Sequence, residues 1–195
     1  MASTYENSLR LELIATGEAA STWGDKTNTN LNAIAAAFGY ATQDGFAADA
    51  NATTTVADGA ADPARALYFK ITSSATLTAT RTLTIAPNTI SRVMWIENAT
   101  TGSQSIAISQ GSGANVTIPA GKTAVVYLDG AGAGASVVDA MASLNIDGSI
   151  SAGAATFNGN VGVGGTTFGG VATRTVTIQD PSNSALQFMH GATTT

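Results

Sequence analysis

The sequence predicts a mainly β protein: a short N-terminal strand–helix docking unit, a small antiparallel β-sandwich, then a thin β shaft intertwined as a homotrimer. Three observations predict it. Between residues 65 and 140, short runs of Val, Ile, Thr and aromatic residues recur at about 8–12-residue intervals between Gly, Pro and Asn turns, the spacing of strands in a sandwich. Residues 9–38 combine an alternating run with a helical one, in a segment too small to bury its own apolar face. Residues 141–170 alternate, but with few large side chains and many glycines, so a single copy has too little to bury.

The N-terminal unit comes first. Leu9, Leu11 and Leu13 alternate with Arg10 and Glu12, a half-buried strand pattern that Thr16-Gly17 breaks. From Trp23 the spacing changes. Leu31, Ile34 and Phe38 follow at helical intervals with Ala35, Ala36 and Ala37 between them. Alanine favours the helix, Gly39 is its stop, and Asp25 or Asn28 its cap.

Residues 41–64 are rich in Ala, Asp and Thr and hold no period; they read as a linker with one short strand at 53–56. The sandwich follows at 65–140. Leu67, Phe69 and Ile71 alternate with Tyr68 and Lys70. Leu77, Ala79, Arg81, Leu83 and Ile85 share one parity, where Arg81 marks a strand edge. After a turn at Pro87-Asn88, the continuous apolar run Val93-Met94-Trp95-Ile96 suits a central strand. Ile106 and Ile108, Val116 and Ile118, residues 123–128, and Val137-Val138 supply further strands, separated by turns at Thr101-Gly102, 111–113 and Pro119-Ala120-Gly121. The expected core is Leu67, Phe69, Leu83, Ile85, Val93, Trp95, Ile106, Ile108, Ile118, Val125 and Tyr127.

In the shaft at 141–170, Leu144, Ile146 and Ile150 occupy even positions, and Phe157, Val161 and Val163 odd ones. A flip of parity implies a bulge or turn near Ala155-Thr156. Three copies about a common axis would bury these six residues; a solvated linker is the alternative. At 171–195, Val176 and Ile178, a turn at Asp180-Pro181-Ser182-Asn183, then Leu186 and Phe188 form a hairpin pattern, the start of a distal region.

Composition narrows the function. Of 195 residues 11% are charged, under half the usual share of about a quarter, and 6% are aromatic. The 44% hydrophobic content is weighted to Ala and Val, and with 21 glycines it suits thin layers and close chain approach. The alternating β-branched runs argue against disorder. A net charge of −5 without a basic patch makes nucleic acid an unexpected partner. Cysteine is absent, so disulfides and thiolate metal sites are excluded. No apolar run reaches the roughly 18 residues of a membrane helix, and no basic-then-apolar leader opens the chain, so neither a membrane nor a secretory signal is expected.

Chemistry is equally sparse. The one histidine, His190, has no nucleophile–base setting and reads as a surface residue. Gly162-x-Gly164 meets Thr167 where a dinucleotide fingerprint needs its third glycine, and no P-loop occurs. Asp139, Asp147 and Asp180 are spaced as turn residues rather than as a glycan-cleaving pair. No catalytic, cofactor or metal residues are expected.

The pieces Leu-x-Leu, Ala-Thr-Gly-Glu, Thr-Trp-Gly-Asp and Thr-Asn-x-Asn-Leu, in that order between Leu9 and Leu31, resemble the N-terminal signature of phage tail fibre proteins, of the kind found in short-tailed phages. The resemblance covers about the first 40 residues. It implies that this end holds the fibre on the virion while a distal region meets the host. Leu9, Leu11, Leu13, Trp23, Asp25, Asn28, Leu31, Ile34 and Phe38 would then form the tail-attachment unit. The alternative there is a plain strand–helix hairpin with Trp23 in its core. Residues 141–170 resemble the β-structured shafts of such trimeric fibres. The expected partners are two further copies, other tail proteins (adaptor, nozzle or baseplate) and a host receptor reached through a distal region beyond Thr195. A second function class is a carbohydrate-binding sandwich at 65–140. It requires exposed aromatic side chains, and Trp95, in the most apolar run, is expected to be buried.

Overall fold

The computed structural model describes residues 2–147. The chain divides into two units, Met1–Asn145 and Ile146–Thr195, and it is the first that the described residues cover. Ile150, Phe157, Val161, Val163 and the 171–195 hairpin lie outside the described residues.

The first unit is mainly β with one helix. Strands β1 (Thr4–Tyr5) and β2 (Glu12–Leu13) pair antiparallel, and helix α1 (Trp23–Ala37) follows. Then come β3 (Tyr40–Asp44), β4 (Ala52–Thr55), a 3₁₀ turn (Pro63–Arg65), β5 (Tyr68–Thr72), β6 (Arg81–Ala86) and β7 (Arg92–Asn98). The last are β8 (Ile106–Ser109), β9 (Val116–Ile118), β10 (Thr123–Leu128) and β11 (Val137–Asp139). The larger sheet has the order β11-β10-β7-β5-β3, which makes β7 central as its apolar run predicts. The smaller has the order β4-β6-β8-β9. Their inner faces share one core, with Phe69, Ile71, Met94, Ile96, Val126 and Leu128 from the larger sheet and Leu83, Ile85, Ile106, Ile108 and Ile118 from the smaller.

The sandwich is not the antiparallel one expected. From β3 to β8 the chain crosses to the opposite sheet after every strand. Each return therefore lays a strand beside its predecessor in the same direction: β3, β5 and β7 are parallel, as are β4, β6 and β8. Within these two sheets, antiparallel pairs appear where the winding stops, at β8–β9, β7–β10 and β10–β11. The turn residues that look like hairpin signals are mostly arches between sheets. One of them is tight: Gly102 has φ +100°, and a Cβ there would sit 2.1 Å from the Leu77 carbonyl oxygen.

Residues 41–64 are not a linker. They carry β3, β4 and the 3₁₀ turn, and Phe46, Val56 and Ala64 reach the shared core. Buried polar side chains staple the arches. Asn98 Nδ2 donates to the carbonyls of Gln104 and Ile118 at 3.0 and 2.9 Å. Gln110 Nε2 donates to Ile90 O at 2.7 Å.

Three expected core residues face outward instead. Phe69 of β5 points inward and lies opposite Ile96 of β7. With a side-chain period of two, Met94 and Ile96 then point inward, and Val93 and Trp95 outward. β10 follows the same register: Val126 and Leu128 are buried while Tyr127, opposite Val93, is exposed. Leu67 and Val125, also expected in the core, are only half-buried. Trp95 is 43% exposed and Met94 0%.

Truncation should reveal this parity. Met94→Ala is expected to cost about 2–5 kcal/mol of unfolding free energy. Trp95→Ala is expected to cost less than about 1 kcal/mol, as outward side chains do. Urea unfolding of both variants checks this, and the reverse ordering would place Trp95 in the core.

Candidate functional site

The helix is held by its small and polar residues. Ala33 and Ala37, four apart, are the buried positions of α1, and the helix lies against the 3₁₀ turn. Asn30 grips β2 at two points: its Oδ1 accepts from Glu12 N–H at 2.9 Å and its Nδ2 donates to Glu12 O at 2.8 Å. Lys26 Nζ donates to the Glu12 carboxylate. An alanine face permits this close approach where larger side chains would hold the helix off.

Arg65 fixes the whole N-terminal segment. Its side chain is 0% exposed, so its donors need partners inside the protein. Nη1 donates to Leu9 O; Nη2 donates to Ala57 O at 2.6 Å, to Ala60 O at 2.8 Å and to Asp62 Oδ2 at 2.9 Å. Beside it, Gly59 N–H donates to Arg10 O at 2.9 Å, and Arg10 Nε pairs with Asp58 Oδ1 at 2.6 Å. The strand–helix unit is thereby seated on the 57–65 segment of its own chain.

With that face used, the large apolar residues point away. Trp23 is 63%, Leu31 57% and Phe38 77% exposed; Ile34 is half-buried. At about 100° per residue these four positions fall within about 80° of arc, one stripe. Leu9 and Leu11 are half-buried and Leu13 is exposed. Neither proposed cap acts as one. Thr22 occupies the N-cap position without a side-chain bond, Asp25 lies in the first turn, where its charge suits the helix dipole, and Asn28 is exposed further along. The stop is as expected: Gly39 N–H donates to Ala36 O at 3.0 Å and the chain enters β3 at once. Of the residues expected in a shaft, Leu144 and Ile146 are exposed.

A second surface went unseen in the sequence. Parallel register sets Tyr40 beside Tyr68 and Tyr68 beside Trp95, all facing outward. Phe38 joins them at the end of the helix stripe. With Gly39, Tyr40, Leu67, Tyr68 and Trp95 it lines a shallow concavity of about 470 Å³. The available signal was a recurrence of aromatic residues 28 and 27 positions apart, from Tyr40 to Tyr68 to Trp95.

Several carboxylates are held below their ordinary range. The Lys26 hydrogen bond does this for Glu12, the Ser74 side chain for Asp44, Arg81 and then Thr78 for Asp49, and the Ser136 and Ala131 N–H groups for Asp129. Among the described residues no three His, Cys, Asp or Glu side chains gather as a metal site, and no helix is long and apolar enough to cross a membrane. No family model, curated protein or solved structure matches the chain.

A carboxylate with a folded pKa below its unfolded one adds stability above the unfolded value, about 4, and loses it as pH falls through the folded value. The melting temperature should therefore be flat from about pH 7 to about pH 5 and fall below about pH 4. Asp49→Asn should reduce that acid loss. A melting temperature that rises on acidification would contradict the depressed values.

Proposed function

We propose that this chain is a structural virion protein, the proximal part of a homotrimeric phage tail fibre, with its N-terminal unit attached to the tail and no enzymatic role. The observation that carries this reading is the outward stripe of Trp23, Leu31 and Phe38 on a helix already seated through the adjoining Ala33–Ala37 side. A contiguous exposed apolar patch marks an interaction site, and Trp is a typical interface anchor. The N-terminal resemblance to tail fibres supplies the partner class, another tail protein such as an adaptor, nozzle or baseplate component.

The mechanism is mechanical. The seated unit transmits load into the two sheets through the Arg65 cluster, and several fibres on one particle hold weakly binding tips at high effective concentration near the host surface. A distal region would carry the tip. The homotrimer reading rests on the small-residue run at 141–170, whose apolar positions Leu144 and Ile146 are exposed in the single chain.

The second reading, a carbohydrate-binding sandwich, gains from one observation. Trp95 is outward, which removes the objection that its expected burial raised.

Virions assembled with fibres carrying Trp23→Ala test attachment. Fibres per particle should fall severalfold, with Asp25→Ala weaker in effect, while the soluble fibre keeps its melting temperature because Trp23 is exposed. Deleting residues 1–38 is the poorer variant, since it also removes Leu9 from Arg65. Normal incorporation of Trp23→Ala fibres would place attachment elsewhere.

A further inference from the structure

We propose that the outer face of the larger sheet is a binding platform for an uncharged polysaccharide, with Tyr40, Tyr68 and Trp95 as its stacking row. The proposal rests on the carbohydrate-binding reading of the sandwich, for which it names the face and the ligand class, and is independent of the fibre reading.

Strands lie about 4.8 Å apart, so the three in-register side chains span about 9–10 Å, the scale of a short oligosaccharide. The Tyr40 and Tyr68 ring centroids are 5.7 Å apart with planes at 37°. Both hydroxyls are tied down along the sheet. The Tyr40 hydroxyl bonds Thr42 Oγ1 at 2.6 Å, and the Tyr68 hydroxyl donates to Glu97 Oε2 at 3.0 Å. Each hydroxyl bond restricts where its ring can lie. Less side-chain freedom is then lost on binding.

A polar row runs beside the aromatic one. Two residues further on, Thr42, Lys70 and Glu97 share the same face in the same register, and Thr123 continues the row on β10. Lys70 Nζ lies 3.1 Å from Glu97 Oε1. A sugar ring has the complementary division, a C–H face that packs on an aromatic ring and a rim of hydroxyls that donate and accept.

Charge selects the ligand. Lys70 and Glu97 neutralise each other, and the chain carries −5, so nothing on this face attracts a polyanion. A protein partner covering the face would strip water from the Lys70–Glu97 pair at a cost. A glycan leaves that pair hydrated and reaches it directly or through water.

The test uses the full chain in native affinity electrophoresis with dextran, laminarin, hydroxyethyl cellulose, galactomannan and, as the charged probe, polygalacturonate. At least one neutral polymer should retard the protein and polygalacturonate should not. Trp95→Ala and Tyr40→Ala should each weaken retardation by at least about tenfold, about 1.4 kcal/mol. In a Trp23→Phe background, Trp95 is the remaining tryptophan. Its emission should shift to the blue when the retarding polymer is added. Three results would overturn the proposal: no retardation by any neutral polymer, retardation that both alanine variants retain, or a Trp95→Ala variant that changes only the sedimentation coefficient. The last would make the face a contact between copies. None of these results affects the Trp23 test of attachment, so the two readings fail separately.

Discussion

A guanidinium with no exposure to water is the constraint on which the rest of this unit depends. Arg65 cannot be left unpaired, because a buried uncompensated charge costs several kcal/mol in real proteins, on the order of 3–5 when a partner is removed. Its donors therefore draw together the carbonyls of Leu9, Ala57 and Ala60 and the Asp62 carboxylate. Leu9 lies in the N-terminal segment and Arg65 just before β5, so one side chain ties the segment that precedes α1 to the sheets. Once Leu9 is fixed, β2 is fixed, and Asn30 and Lys26 orient the helix against it. The outward direction of Trp23, Leu31 and Phe38 is a consequence of that seating.

The second constraint is the winding. A chain that changes sheet after each strand returns in parallel, and parallel strands in register stack equivalent positions from successive circuits. The inner positions Ala41, Phe69 and Ile96 and the outer positions Tyr40, Tyr68 and Trp95 arise from the same register. Parallel sheets are usually covered on both faces. Here the outer face of β3, β5 and β7 is exposed and aromatic, which is the physical reason to assign it a ligand. Phe38 links it to the helix stripe, so the two candidate surfaces share a border while differing in chemistry: one is dominated by large apolar side chains, the other is aromatic beside a neutral ion pair.

Much of the fold was legible. The spacing Leu31–Ile34–Phe38 with Gly39 gave the helix and its end, and alternation gave the inward residues of β5, β6 and β8 and the buried Ile118 of β9. What failed did so for local reasons. In β7 both parities are apolar, so alternation could not choose between Met94 and Trp95; the β5–β7 register chose. In the helix, the alternative that put Trp23 in a hairpin core fails because close approach to β2 and the 3₁₀ turn favours Ala33 and Ala37. β3 and β4 are short edge strands of mostly small and polar residues, and without a long apolar run they read as linker. Arch and hairpin turns use the same Gly, Asn and Thr chemistry, so parallel winding left no mark except the long-period recurrence of Tyr40, Tyr68 and Trp95. The candidate attachment residues could be named from their pattern, whereas the aromatic row needs the register to exist at all.

The central claim is that the helix stripe is covered by a different tail protein. Replacing Trp23 with the photo-crosslinker benzoylphenylalanine, irradiating assembled particles and identifying the adduct tests it most directly. The account predicts a covalent product between this chain and a second, distinct virion protein. Adducts only between copies of this chain, or none at all, would contradict it.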